Sequence, residues 1–244
     1  MQFTISHQDK DTSARQGTLT TNHSDIQTPV FMPIGTQGAV KTIDPEVLTH
    51  LDTQIILGNT YHLYIRPGHE LIHHSGGLHS FMNWDNSILT DSGGFQIFSL
   101  ARLNKISDEG VEFQSHLDGS RHFFTPEISM DIQRHLGSDI IMAFDECPPG
   151  QADEKTVKRA VDRTTRWIEE CRAFLNENES LYDWTQILFP IVQGGIFPNL
   201  RKESACSLIP YADSGMAIGG LAVGEEKNAM FETIHLMDSL LPKD

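Results

Sequence analysis

Four short apolar runs in this chain end in a glycine-rich or acidic tip: SILTDSGGFQ (Ser87–Gln96), DIIMAFDEC (Asp139–Cys147), ILFPIVQGG (Ile187–Gly195) and GMAIGGLAVGE (Gly215–Glu225). An apolar run this short reads as a buried strand, and helical patterns between such runs indicate a parallel sheet. Parallel strands carry the polar groups at their carboxyl ends to one face, where α/β enzymes place their chemistry. Asp91, Ser92, Asp145, Glu146, Cys147, Gln193 and Glu225 are therefore expected in one cleft. The adjacent glycines leave room there for a flat ligand and bare backbone N–H groups.

The length of 244 residues allows one large core. The 39% hydrophobic and 21% charged content is that of a globular domain. No apolar run is long enough to span a membrane, and the start, MQFTISHQDKD, lacks a signal-peptide pattern. Cys147, Cys171 and Cys206 lie far apart, which suits neither a disulfide framework nor a zinc site and points to a reducing cytoplasm. The net charge of −15 argues against nonspecific nucleic-acid binding. The run Lys155, Lys158, Arg159, Arg163 and Arg166 reads as a solvated helix face balanced by nearby acids.

Along the chain, about the first 28 residues alternate weakly, as in an antiparallel ribbon. Strands are expected at Thr28–Gln37, Thr53–Leu63, Ser87–Gln96, Asp139–Cys147, Ile187–Gln193 and Gly215–Ala222. Asp44-Pro45 and Thr125-Pro126 each supply an N-cap and a first-turn proline for a helix. The helix after Thr125 carries the stripe Ile128, Ile132 and Leu136 and stops at Gly137. Helices are also expected over Asp153 to about Asn176, with Val157, Val161, Ile168 and Cys171 on one face, over Asn199–Ser207, and over Glu226–Leu240. Asp118-Gly119 reads as a two-residue hairpin turn within an insertion. These are about six strand–helix units, and right-handed crossovers would wind them into a (β/α)8 TIM-barrel type fold, here incomplete. The whole chain, 1–244, is expected to be one truncated barrel domain ending at Asp244, where a further strand should begin.

Asp91, at a strand end, suits a nucleophile or general base and equally a helix N-cap. Asp145 ends an almost wholly apolar strand, where a buried charge needs a partner. A ligand with two N–H donors on one edge, such as a guanine-like ring N–H and amino pair, would supply it; backbone N–H groups are the structural alternative. Cys147 reads as inert wall packing rather than a reactive thiol. Gln193-Gly194-Gly195 and Gly219-Gly220 bring amide donors suited to a carbonyl oxygen or, in the competing reading, a phosphate. Phe95 suits stacking on a planar base or a place in the core. His73, His74, His79, His116 and His122 read as surface or packing residues, with no metal assigned to them.

Taken together, PVFMPIGTQ, LGNTYHLYIRPG, LTDSGGFQIFSL, MAFDEC, PIVQGG and GGLAVGE resemble the bacterial tRNA-guanine transglycosylase (queuine tRNA-ribosyltransferase) family. The motifs keep the family order from Thr28 to Glu225. The resemblance implies a cytoplasmic pentosyltransferase. It would exchange guanine at wobble position 34 of tRNAs for Asp, Asn, His and Tyr against preQ1, a step toward queuosine, through a covalent tRNA–enzyme intermediate. By the same resemblance Asp91 is a general acid/base near the sugar, Ser92 lies at the base, Phe95 stacks on it and Asp145 binds its edge. Gln193 and the Gly220 amide face the base carbonyl. The Leu221 carbonyl faces the preQ1 aminomethyl group, supported by Glu225, and Cys147 and Val223 match bacterial-type positions. A homodimer is implied, and no membrane partner.

The family's nucleophilic aspartate, and the three cysteines and one histidine that hold its structural zinc, match no position here. The chain alone is therefore expected to hold no cofactor and to have lost turnover. Two other readings stand beside this one: a non-catalytic subunit or pseudoenzyme, and an unrelated barrel enzyme that uses the Gly-Gly tips as a phosphate cup.

Overall fold

A computed structural model describes residues 1–100 and 104–243; Asp244, the expected end of the barrel domain, lies outside them. The amino-terminal ribbon is an antiparallel three-stranded sheet, β1 (Gln2–Gln8), β2 (Arg15–Thr20) and β3 (Asp25–Thr28). Next come β4 (Ile34–Gly35), α1 (Pro45–His50), β5 (Ile55–Gly58), α2 (Thr60–Ile65), α3 (His69–His74), α4 (Gly77–Met82), β6 (Ser87–Thr90) and α5 (Gly94–Leu100). The inserted sheet is β7 (Asn104–Ile106), β8 (Val111–Gln114) and β9 (Arg121–Phe124). The chain then runs through α6 (Pro126–Leu136), β10 (Ile140–Met142), α7 (Glu154–Glu177), β11 (Ile187–Phe189), β12 (Ile191–Val192), α8 (Pro198–Leu208), β13 (Ala217–Ile218) and α9 (Lys227–Leu240).

The central sheet is parallel, with spatial order β11-β10-β6-β5-β4. Pro190 interrupts the next strand: β11 pairs with β10, and beyond the proline β12 pairs with β13, also in parallel. The strands therefore succeed one another in sequence order with no reversal. The result is a mixed α/β fold built on parallel strands.

Strand faces alternate as the pleat requires. Ile56, Ile88, Ile141 and Leu188 face the main core beneath the helices. Their neighbours Ile55, Leu89, Ile140 and Met142 form a second cluster with Ile26 of the ribbon. Each such burial contributes about 1.5–3 kcal/mol. The ribbon closes the amino end of the sheet: the Asn22 side chain donates to the Thr185 carbonyl at 2.9 Å, and Ser24 Oγ lies 2.6 Å from Ser87 Oγ. That leaves the carboxyl ends of the strands as the open face.

Local sequence explains the helix ends. Thr125 accepts from Ile128 N, Asp44 from Glu46 N and Asp153 from Thr156 N, each an N-cap, and Gly137 closes α6 in the left-handed region. The expected face of α7, Val157, Val161, Ile168 and Cys171, is buried.

Several expected elements differ from the observed ones. Only Ile34–Gly35 of Thr28–Gln37 is strand, and Phe31 is 81% exposed. The run Thr53–Leu63 is strand only to Gly58, because α2 starts at Thr60. The run from Ser87 leaves the sheet at Thr90 and becomes α5 at Gly94. The strands at Asp139–Cys147 and Gly215–Ala222 shrink to Ile140–Met142 and Ala217–Ile218. Ile128 of the α6 stripe is exposed; Met130 and Gln133 are buried instead. Asp118-Gly119 is no two-residue turn, since Gln114 and Arg121 are the last paired residues and a longer loop joins them. The apolar runs continue past the strands because they also line the site and its flanking helices. No helix among the described residues is long and apolar enough to cross a membrane.

Candidate active site: a buried carboxylate between two donors

Asp145 stands just past β10 and is 5% exposed. Ser92 Oγ donates to its Oδ1 and Gln193 Nε2 to its Oδ2, both at 2.7 Å. Burial pushes the Asp145 carboxyl up from 3.8 to about 6, with the charges of Asp91 and Glu146 adding to it. The two donors work against that shift without cancelling it. A carboxylate has about four acceptor positions, so two acceptor sites remain on an otherwise costly buried charge.

Ser92 is aimed from both sides of the turn between β6 and α5. Its carbonyl accepts from Ser129 Oγ of α6 at 2.8 Å, and its Oγ accepts from Gly94 N at 3.1 Å. Gly94 is needed for space: a Cβ there would stand 2.6 Å from the Asp145 carbonyl oxygen and 3.3 Å from Oδ1. Gln133, also on α6, accepts from Thr90 Oγ1 and Met142 N and donates to the Met142 carbonyl. It thereby fastens the ends of β6 and β10 together.

Asp91 is held by four donors: Asn59 Nδ2 at 2.5 Å, Gln96 Nε2 at 2.7 Å, Thr60 N at 3.0 Å and Gly93 N at 3.1 Å. Desolvation nonetheless raises its pKa. The N-cap alternative concerns the segment after Asp91, where Oδ1 accepts from Gly93 N just ahead of α5; the Thr60 amide belongs instead to α2, whose N-cap position is Asn59. Sequence pattern does not single out Asn59, Thr60 and Gln96, because nothing local ties them to Asp91.

Gln193 and the last glycine tip face each other. A Cβ on Gly219 would lie 2.6 Å from Gln193 Nε2, and one on Gly220, at φ +63°, 2.5 Å from Gln193 Oε1. Gln193 Oε1 is buried without a hydrogen-bond partner among the described residues. The strap behind both tips is Arg201, fully buried, which donates to the carbonyls of Gly195 at 2.8 Å, Val192 at 2.9 Å and Gly220 at 3.3 Å. Desolvation pulls its pKa down to about 10. Sequence reasoning passes over Arg201, which lies within the helix expected over Asn199–Ser207. With its donors turned to carbonyls, Arg201 is not presented to a phosphate.

Glu225 accepts from Ala222 N at 2.5 Å and Val223 N at 2.9 Å. Desolvation acts upward on its pKa, but the backbone N–H bonds outweigh it and hold the carboxyl low. The turn that carries Leu221 and Val223, both partly buried, is thus pinned by Glu225. Cys147 is partly buried, and burial followed by the charge of Asp145 pushes its thiol up to about 12. Phe95 is 51% exposed on the first turn of α5, so it is no core residue. Glu146 is buried and makes a close ion pair with Arg163 of α7.

The basic run on α7 is largely neutralised. Lys158 pairs with Asp162 and Glu203, and Arg163 and Arg166 with Asp108. His116 and His122, expected to face each other across the hairpin, instead direct their Nδ1 atoms to the Tyr61 and Tyr64 hydroxyls at 2.7 and 2.9 Å.

A family model described as queuine tRNA-ribosyltransferase matches residues 9–244. The chain belongs to that family. It is 51% identical over 240 residues to the queuine tRNA-ribosyltransferase of Desulforamulus reducens, covering 98% of this chain and 63% of that protein. The proteins of the same name from Pelotomaculum thermopropionicum and Thermoanaerobacter sp. (strain X514) are each 53% identical, over 99% and 100% of this chain and 64% of their own length. The chain therefore spans about 64% of the length of the curated relatives it matches.

The family resemblance carries a structural zinc on three cysteines and a histidine. The cysteines here occupy separate environments, Cys171 buried, Cys147 partly buried and Cys206 exposed, and none joins a metal-like grouping among the described residues. These residues do not fit that zinc site. Two groupings with metal-like spacing do occur elsewhere, His23–His79–Asp139 and His69–Asp131–His135; sequence reading misses both. In the first, Asp139 bonds both imidazoles directly, at 2.7 and 3.2 Å, and the rings stack at 3.7 Å. It forms a hydrogen-bonded cluster between the ribbon, α4 and the start of β10, with His79 Nδ1 buried and unpartnered among the described residues.

Proposed function

We propose that this chain forms the base-recognition half of a tRNA-guanine transglycosylase, which exchanges guanine 34 of tRNA for preQ1 in queuosine biosynthesis. The observation that carries the reading is the Asp145 carboxylate, buried, flanked by Ser92 and Gln193, with acceptor capacity left over. A guanine-type edge offers a ring N–H and an exocyclic amine side by side, which suits those two acceptors. Gln193 and the Gly220 backbone stand where they would meet the base carbonyl, and Phe95 is exposed for stacking. Leu221 and Val223, on the turn pinned by Glu225, would line the side that takes the preQ1 aminomethyl group.

Asp91 acts as a general acid/base beside the sugar in this reading. Its raised proton affinity suits proton exchange, and its four donors keep the carboxylate oriented. The attacking carboxylate is assigned to neither pocket aspartate: Asp145 serves the base edge and Asp91 is committed to its donors. The parallel strands in sequential order support a (β/α)8 barrel wall as the scaffold. The target nucleotide would leave the anticodon loop to enter the cleft.

The test is titration of guanine and preQ1 into the purified chain, followed by labelled-guanine exchange into tRNA. Base binding without exchange supports the assignment. Exchange at a rate typical of the family would make Asp91 the nucleophile, and no base binding by a folded chain would remove the reading.

A further inference from the structure

The grouping on the far side of α6 from the pocket is of a different kind. His69 is the first residue of α3, and Asp131 and His135 lie one turn apart on α6, against which α3 packs. One potential ligand atom from each lies within 4.8 Å of the others. All three side chains are partly buried, so they are neither loose surface groups nor sealed from solvent.

We propose that His69, Asp131 and His135 form a divalent transition-metal site that clamps α3 onto α6. Two imidazoles and one carboxylate select a borderline ion such as zinc over magnesium or calcium, and three protein ligands leave a position for water.

The side chains are poised for this. His135 Nδ1–H donates to the Asp131 backbone carbonyl at 2.8 Å, which in the neutral ring leaves the lone pair on Nε2. Anchoring one imidazole nitrogen on a carbonyl is the usual way a protein orients a metal-binding histidine. Neither nitrogen of His69 has a hydrogen-bond partner among the described residues, yet its ring is oriented by stacking on Tyr64 and by an edge contact with His135. Asp131 Oδ1 makes only long contacts, 3.4 Å to Arg134 Nη1 and 3.5 Å to His135 Nδ1. Arg134 competes for this carboxylate and must yield part of it to a metal.

The consequence reaches the base pocket through one helix. Ser129 and Gln133, which hold Ser92 and the strand ends, belong to the same α6 as Asp131 and His135. A metal at the clamp would stiffen the element that aims Ser92.

The experiment is zinc titration of the metal-stripped chain by calorimetry, with cobalt absorption as a second readout and thermal melting as a third. One equivalent of zinc should bind and raise the melting temperature. His69→Gln and Asp131→Asn, each checked for folding by circular dichroism, should each weaken binding by about tenfold or more. Cys206→Ser should bind as wild type does. No zinc heat and no cobalt band in the wild type would overturn the proposal. So would binding that survives both His69→Gln and Asp131→Asn, or binding lost in Cys206→Ser.

Discussion

Gln193 donates its side-chain amide to Asp145 at 2.7 Å across the gap between two neighbouring strand ends, while its own Oε1 stays buried and unpartnered. One half of the amide thus holds the carboxylate, and the other half carries an unpaired buried acceptor. A group of that kind costs about 1–3 kcal/mol, which a ligand donor or a local rearrangement would relieve.

Asp145→Asn should separate stability from binding. Raising the carboxyl from 3.8 to about 6 corresponds to about 3 kcal/mol of destabilisation at neutral pH. The amide removes the buried charge, and a flip of Gln193 would let Oε1 accept from the new NH2. Urea unfolding should show the free variant more stable than wild type by about 1–3 kcal/mol. Calorimetry should show guanine binding lost. A variant that is less stable and still binds guanine would contradict the role given to Asp145.

On the proposed reading, the pH dependence of guanine binding should follow the same carboxylate. Its ionised form accepts two N–H groups, so affinity should be level above about pH 6 and fall about tenfold per pH unit below it. Stability runs the other way. The folded-state pKa lies above the unfolded value, so the native state binds the extra proton and this group's penalty is relieved as pH falls from about 6 toward 3.8. Titrations at stepped pH, with Asp145→Asn as the control that lacks this group's contribution to stability, check both signs.

Gly94→Ala tests the packing beneath Asp145. The new methyl would meet the Asp145 carbonyl oxygen at 2.6 Å and Oδ1 at 3.3 Å, so the backbone of one tip must move. Guanine affinity should fall by more than about tenfold, in line with an overpacking strain of about 1–3 kcal/mol. An unchanged dissociation constant would show that the tip tolerates displacement.

Arg201→Met should unfasten the Gln193 and Gly220 tips together. The buried Gly195 carbonyl and the partly buried Gly220 carbonyl lose a donor, and the Val192 carbonyl keeps only Gly219 N, at about 1–3 kcal/mol for each bond left unmade before relaxation. Chemical denaturation should register a loss of about 3 kcal/mol or more, and base binding should fall with it. Stability within about 0.5 kcal/mol of wild type would mean that the strap is dispensable.

The cysteines should differ in reactivity. Burial and Asp145 hold the Cys147 thiol up at about 12, far from the thiolate that alkylating reagents need, whereas Cys206 is exposed. Brief iodoacetamide treatment at neutral pH, read by peptide mass spectrometry, should label Cys206 and spare Cys147 and Cys171. Rapid labelling of Cys147 would contradict its reading as wall packing.

The parts of the fold visible in the sequence are those encoded by near neighbours. Asp44, Thr125 and Asp153 cap helices because a side-chain oxygen reaches amides two or three residues on. The tips after β6, β10 and β12 are legible because an apolar run there meets a polar or glycine-rich stop. The same logic misleads where an apolar run serves two elements: LGNTYHL continues from β5 into α2, and hydrophobicity alone does not show the break at Asn59.

The sequence by itself determined the order of parallel strands, the family, and the placing of Asp91, Ser92, Asp145, Gln193 and Glu225 near strand ends, since short-range periodicity and motif order carry that information. Only the tertiary structure decided which of these groups touch. It sealed Arg201 beneath the tips, paired Glu146 with Arg163, tied Asp91 to Asn59 and Thr60, and brought His69 beside Asp131 and His135. Those outcomes depend on where separate strands and helices come to rest against one another. Contacts between residues far apart in the chain leave no local pattern, because their energy is realised only when the elements pack.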